Sequence, residues 1–231
     1  MIFLYRARLV ILSQPKTGTT ALDNALAHRA SIVINSPPEL KHINYRKFRK
    51  FVVPLIRSQT GLKRADYEVV SVMREPIDWL GSWYRYRTRD ALLDKKNSRS
   101  ANYTGNISFD QFVQDVCKPK GEQPSYAKIG SPCAVALAGE GKIGIDRIFP
   151  YEDMSGLYEL IAERTGKPVE TKQLNVSPAR ELVISEETRA KAREKYAFAF
   201  ELHASLRRDG VIDDRFRGPI DDDEEDDETY V

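Results

Sequence analysis

The chain holds 231 residues, of which 41 % are hydrophobic, enough for one enzyme-sized core. Its 36 Lys and Arg nearly balance 34 Asp and Glu, for a formal net charge of +2, and it has two cysteines, Cys117 and Cys133. No apolar run reaches the roughly 18 residues that a membrane-spanning helix needs, and two cysteines make no disulfide framework, so both of those classes are set aside.

The first expected element is a buried strand near 7–13, built on Leu9-Val10-Ile11-Leu12. Pro15-Lys16-Thr17-Gly18-Thr19-Thr20 follows it and leads into a helix over about 19–28. A strand, a glycine-containing turn and a helix start form an anion site. The first helical N–H groups lack intrahelical partners, and the helix dipole turns its positive end to the turn. Lys16 adds a full charge, and Thr19 and Thr20 add hydroxyls. The spacing is not that of a nucleoside-triphosphate loop, G-x-x-x-x-G-K-[ST], because Lys16 precedes Gly18 by two residues and no glycine stands at 11–14. It suits a phosphate or sulfonate donor better than a magnesium-bound triphosphate. The plain alternative is an ordinary strand–turn–helix with a solvated lysine.

A second strand-like run near 31–34 precedes Leu40-Lys41-His42-Ile43-Asn44-Tyr45-Arg46-Lys47-Phe48, an H-x-x-Y-x-x-F pattern that opens a basic helix over 44–58. From Lys41 to Arg64 the chain has no Asp or Glu, but it has Lys41, Arg46, Lys47, Arg49, Lys50, Arg57, Lys63 and Arg64. Such a surface attracts anionic ligands. His28 closes the helix after the loop and His203 sits on the long C-terminal helix, where each reads most simply as structural.

Glu68-Val69-Val70-Ser71-Val72-Met73 reads as a third strand, over 68–73. It ends in Arg74-Glu75-Pro76, with Pro76 in the first turn of a helix over 76–89. Ser82 shares a face with Asp78 and Arg85, whereas Trp79, Trp83 and Tyr86 form a stripe that reads as core. Arg74 and Ser82 are placed to face the crevice beyond the strand ends, where open α/β sheets bind ligands. The polar stretch 90–107 reads as a mobile loop, and its two glycosylation-like sequons are discounted because no signal peptide is evident. Helices are then expected near 108–117, 124–138, 153–165 and 185–208, with a strand near 145–150.

In this order the motifs resemble those of the sulfotransferase superfamily, whose donor is 3′-phosphoadenosine 5′-phosphosulfate. The resemblance makes Pro15, Lys16, Thr17, Gly18, Thr19 and Thr20 the loop for the 5′-phosphosulfate. Arg74 and Ser82, in R-[ED]-P-x-x-x-x-x-S spacing, become the site for the 3′-phosphate. The H-x-x-Y-x-x-F segment is similar to that of uronosyl 2-O-sulfotransferases and related carbohydrate enzymes, which implies His42 as general base and Lys16 as a catalytic cation. Imidazole suits the task because its ordinary pKa of about 6.5 leaves the neutral form available near pH 7. The plain alternative is that His42 only packs or hydrogen-bonds. Tyr151-Glu152-Asp153-Met154 resembles an architectural strand-to-helix element of the family, and Asn175-Val176-Ser177 resembles an N-x-S element but reads more simply as a turn held by Asn and Ser side chains. There is no match to the arginine-lysine-glycine motif of the small-molecule branch, so adenine recognition has no assigned residue. Animal carbohydrate sulfotransferases carry a membrane anchor, and this chain shows none.

The alternation of elements predicts an α/β fold, P-loop-like and three-layered (α/β/α) around a central parallel sheet. The expected organisation is one sulfotransferase-like domain over 1–218 and an acidic, disordered tail over 219–231. Asp221 to Glu228 hold eight acids and no base, so removing the tail takes the formal charge from +2 to +10. The expected function is transfer of a sulfuryl group to an acceptor hydroxyl, of a glycan that is itself anionic in some cases, by a soluble cytoplasmic enzyme of bacterial type. No metal, membrane span or nucleic-acid partner is expected, since neither metal-ligand spacing nor a nucleic-acid motif is present. A metal-dependent P-loop kinase and a non-catalytic nucleotide-binding module remain as alternatives.

Overall fold

The apolar run expected as one strand over 7–13 is the second arm of a hairpin. β1 (Ile2–Leu4) and β2 (Leu9–Ile11) pair antiparallel, with Ile2 opposite Ile11 and Leu4 opposite Leu9. Ala7 N–H donates to Leu4 O at 3.1 Å in the turn, and Arg8 adopts a left-handed backbone with φ 51°. β1 escaped detection because a short strand buried on both faces shows no alternation.

In the computed structural model the described residues are 1–94, 100–139, 141–170 and 182–218. After the hairpin come α1 (Thr19–Leu26), β3 (Ile32–Val33), α2 (Pro38–Lys41) and α3 (Tyr45–Lys47). A π-helical turn (Phe48–Val52) runs on into α4 (Val53–Thr60), and β4 (Glu68–Met73) follows. Next are α5 (Pro76–Arg87), α6 (Phe109–Cys117), β5 (Leu137–Gly139), β6 (Lys142–Ile143) and β7 (Arg147–Pro150). α7 (Ser155–Thr165), α8 (Glu186–Lys195) and α9 (Ala197–Ala204) complete the order.

The fold is mixed α/β. Its five-stranded sheet has the order β3-β1-β2-β4-β7, in which β2, β4 and β7 run parallel and β1 is antiparallel to both β2 and β3. The central sheet is therefore mixed rather than all parallel. The hairpin connection is what reverses β1, since two strands joined by so tight a turn must run antiparallel. A second expectation fails over 124–138. That stretch holds a short turn at Ser125–Ala127 and then β5, paired with β6. Pro124, Gly130 and Pro132 break it up, as these residues disrupt helices. The helix expected over 185–208 is two helices, α8 and α9, separated at Tyr196, whose φ of −112° and ψ of 27° leave the helical region.

The chain divides into two compact units. The first comprises residues 1–73 and the described residues of 133–172 and 205–231. Its core places Ile2, Leu4, Leu9, Ile11, Val70, Val72 and Phe149 of the sheet with Leu22 and Leu26 of α1 and Leu157 and Ile161 of α7. Residues at i and i+2 of a strand share a face, which is why these alternate positions meet the helices. Each such side chain stabilises the fold by about 1.5–3 kcal/mol relative to exposure.

The second unit comprises the described residues of 74–132 and 173–204, and holds α5, α6, α8 and α9. Ser108 caps α6 by accepting from Gln111 N–H, and Ser185 caps α8 by accepting from Thr188 N–H. Asp110 binds Ser185 through both its N–H and its hydroxyl, at 2.8 and 2.9 Å, and so joins the two helix starts. Trp79 is fully buried, edge-on to Trp83 and to Tyr196 at 6.2 Å each, whereas Trp83 and Tyr86 of the expected stripe are only partly buried.

Candidate functional site at the loop after β2

β2 leaves the sheet through Leu12, whose N–H donates to Val70 O of β4 at 2.9 Å. The next residues, Ser13 and Gln14, are buried although polar. Gln14 resolves its burial by accepting from Val135 N–H at 3.1 Å, and the Val135 carbonyl in turn accepts from Tyr45 N–H at 2.8 Å. The turn is closed by the Thr17 hydroxyl, which donates to Gln14 O at 2.8 Å. Lys16 and Gly18 both take left-handed backbones, with φ of 70° and 69°. Gly18 then serves as N-cap of α1 without any side-chain cap. It is exposed, so the approach to the first N–H groups of α1 carries no Cβ. Those donors and the helix dipole suit an oxyanion. On its inner side, the place a Gly18 Cβ would take lies 3.4 Å from Tyr151 Cε2. Tyr151 belongs to the Y-E-D-M segment, and its own N–H donates to Met73 O at 2.8 Å.

His42 sits at the end of α2, half-buried, with Nδ1 2.7 Å from the carbonyl oxygen of Ser13. A carbonyl only accepts, so Nδ1 carries the hydrogen and Nε2 presents the lone pair. Burial pushes the imidazole pKa below its ordinary 6.5, the Ser13 bond pulls it up, and neighbouring Lys41 pushes it down again. The ring is thus held neutral near pH 7, with the basic nitrogen directed by its bond to the strand–loop junction. Among the described residues Nε2 has no hydrogen-bond partner.

Lys41 fastens this segment to α1. Its ammonium lies 2.9 Å from Asp23 Oδ2, off hydrogen-bond alignment, and donates to Thr20 Oγ1 at 3.1 Å. The Met1 nitrogen donates to Ser13 Oγ and to Lys41 O, both at 3.1 Å. Ser13 is accordingly held on both sides, with His42 on its carbonyl and Met1 on its hydroxyl.

Arg74 and Ser82 fall in the second unit. Arg74 follows directly on β4, and Glu75 caps α5 by accepting from Asp78 N–H at 2.7 Å. Arg74 Nε donates to Asp78 Oδ2 at 2.5 Å, and Arg85 Nη2 reaches Asp78 Oδ1 at 3.5 Å. Two guanidiniums thus share one carboxylate on the face of α5 that also carries Ser82, itself only 7 % exposed.

The structure brings the loop over 15–20 and His42 together in the first unit, and places Arg74 just before α5 and Ser82 midway along it in the second. Asn175 and Ser177 lie outside the described residues, as does the acidic tail. Sequence reasoning missed Ser13, Gln14, Asp23 and Lys41. Asp23 was the readable signal among them, because a carboxylate between Leu22 and Leu26 on a buried helix face requires a cationic partner. Among the described residues no group of three or more His, Cys, Asp or Glu side chains is placed to hold a metal, and no helix is long and apolar enough to cross a membrane. Compared with protein-family models, with curated proteins and with solved structures, the chain matches none.

Proposed function

We propose that the chain is an O-sulfotransferase, moving a sulfuryl group from 3′-phosphoadenosine 5′-phosphosulfate to an acceptor hydroxyl of a carbohydrate. The observation that carries this reading is the 2.7 Å bond of His42 Nδ1 to the Ser13 carbonyl, which sets a neutral imidazole at the root of an anion-binding loop. The residues present fit such a donor, since Gly18 leaves the start of α1 unobstructed and Lys16 adds a cation. When bound, the donor supplies an activated sulfur, and its bond to the bridging 5′-phosphate oxygen breaks as the acceptor oxygen bonds to it. His42 Nε2 takes the proton from the acceptor hydroxyl. Lys16 and the N–H groups near Gly18, Thr19 and Thr20 stabilise the negative charge that develops on the bridging oxygen. Arg74 and Ser82 are the residues that this reading assigns to the 3′-phosphate, through charge-assisted bonds. The reading carries with it a P-loop-like three-layer arrangement and a cytoplasmic place of action.

Adenosine 3′,5′-bisphosphate is expected to raise the melting temperature, because a ligand that binds only the folded state stabilises it by mass action. Adenosine 5′-monophosphate is expected to do much less, and equal shifts would overturn the 3′-phosphate assignment. Turnover of radiolabelled donor against a panel of glycans, lipids and small phenols tests catalysis itself. Phosphoryl transfer from ATP with magnesium would instead identify a kinase.

A further inference from the structure

From Tyr45 to Thr60 one helical path runs through α3, the π-helical turn and α4, and its two sides differ sharply. Tyr45, Phe48, Val52, Val53 and Ile56 are buried, which is what anchors the path to the first unit. The outward side exposes residues in pairs at 46–47, 50–51 and 54–55 and then throughout 57–60. That stripe holds the cations Arg46, Lys47, Lys50 and Arg57 and no acid, and between them it exposes Phe51 at 59 % and Leu55 at 52 %, with Pro54 beside them. Lys50 Nζ lies 5.5 Å from the Phe51 ring centroid, so charge and apolar surface are contiguous rather than segregated.

We infer that this stripe is a docking surface for an anionic lipid bilayer, with Phe51 and Leu55 entering the headgroup–acyl boundary and the four cations lying among the headgroups. The inference goes beyond the transferase reading and does not depend on it. Charge selects the partner. A second copy of the chain would set four cations against four cations, which is repulsive. A soluble acidic glycan or nucleic acid would match the cations but leave Leu55 and Pro54 in water. A bilayer with anionic lipids satisfies both kinds of group, as basic amphipathic helices lying in the interface plane do.

The test is sedimentation of the full chain with vesicles of neutral phosphatidylcholine, and of phosphatidylcholine with about a third phosphatidylglycerol. Binding to the anionic vesicles should exceed that to neutral ones at least tenfold and weaken with salt. Lys47→Glu with Lys50→Glu should reduce it by about fivefold or more per cation. Phe51→Ser with Leu55→Ser should reduce it severalfold without lowering the melting temperature, because both side chains are exposed. The inference is overturned if anionic vesicles are not bound, or if the Phe51/Leu55 variant binds them as well as the parent. It is also overturned if that variant abolishes a dimer seen by sedimentation velocity, which would make the occupant a second copy. Binding of a soluble acidic polysaccharide that outcompetes the vesicles and ignores the Phe51/Leu55 change would equally count against it.

Discussion

At the level of single residues, the bond between His42 and Ser13 has consequences for pH. Burial holds the folded-state pKa of His42 below 6.5, so as pH falls past that value the unfolded chain takes up the proton first. Stability should therefore decline as pH drops from about 6.5 towards the folded pKa, and His42→Gln, which cannot charge, should remove that part of the decline in urea unfolding. On the transferase reading the acidic limb of the rate profile should lie below pH 6.5, and His42→Ala should bind bisphosphate while losing about 10²–10⁴-fold in turnover. Wild-type turnover in that variant on a confirmed acceptor would reduce His42 to a structural residue. Gly18 makes a separate case. Its φ of 69° is open to glycine and strained for alanine, and the nearest atom to an added Cβ stands off at 3.4 Å. Gly18→Ala should cost about 1 kcal/mol in unfolding free energy through backbone strain rather than a clash, and weaken bisphosphate binding by obstructing the start of α1.

Between elements, the Asp23–Lys41 pair joins α1 to α2 with side chains only 5 % and 12 % exposed. Removing one partner leaves the other charge buried, so Asp23→Ala should destabilise by about 3 kcal/mol, and Asp23→Ala with Lys41→Met should recover much of that. A loss in the double variant equal to the sum of the losses in Asp23→Ala and Lys41→Met alone would show that the pair has no coupling. On α5 the carboxylate shared by Arg74 and Arg85 competes with any phosphate for the same guanidiniums. Asp78→Asn should tighten bisphosphate binding on the order of fivefold at low salt, whereas unchanged affinity in titration calorimetry would separate Asp78 from the site. These pairings mark the limit of what the chain discloses unfolded. β2, β4, α5, α6 and α7 were legible because their apolar periods and their caps or prolines are local signals, and the loop and His42 because their residue types carry chemistry. β1 is too short to show a period, and β5 lies in a stretch whose apolar residues suit either helix or strand. Ser13, Gln14 and Lys41 were hidden for another reason: each matters through a partner distant in sequence, such as Val135 or Asp23, and nothing local names that partner.

Over the whole molecule the charges are unevenly shared. The net charge of +2 conceals a segment, Asp221 to Glu228, with eight acids and no base, and a remainder of +10. The densest positive stretch runs from Lys41 to Arg64, next to His42 and including the proposed bilayer surface. A tethered polyanion competes at an effective concentration in the millimolar range when its linker can reach. The same tail would therefore oppose both an anionic substrate and an anionic membrane. Truncation after Gly218 should lower the KM for donor or acceptor and strengthen binding to anionic vesicles, both at low ionic strength. Both differences should shrink as salt shortens the range of the attraction below about 10 Å. If neither KM nor vesicle binding changes near 10 mM salt while solubility falls, the tail acts only by keeping the chain in solution, and competition is excluded.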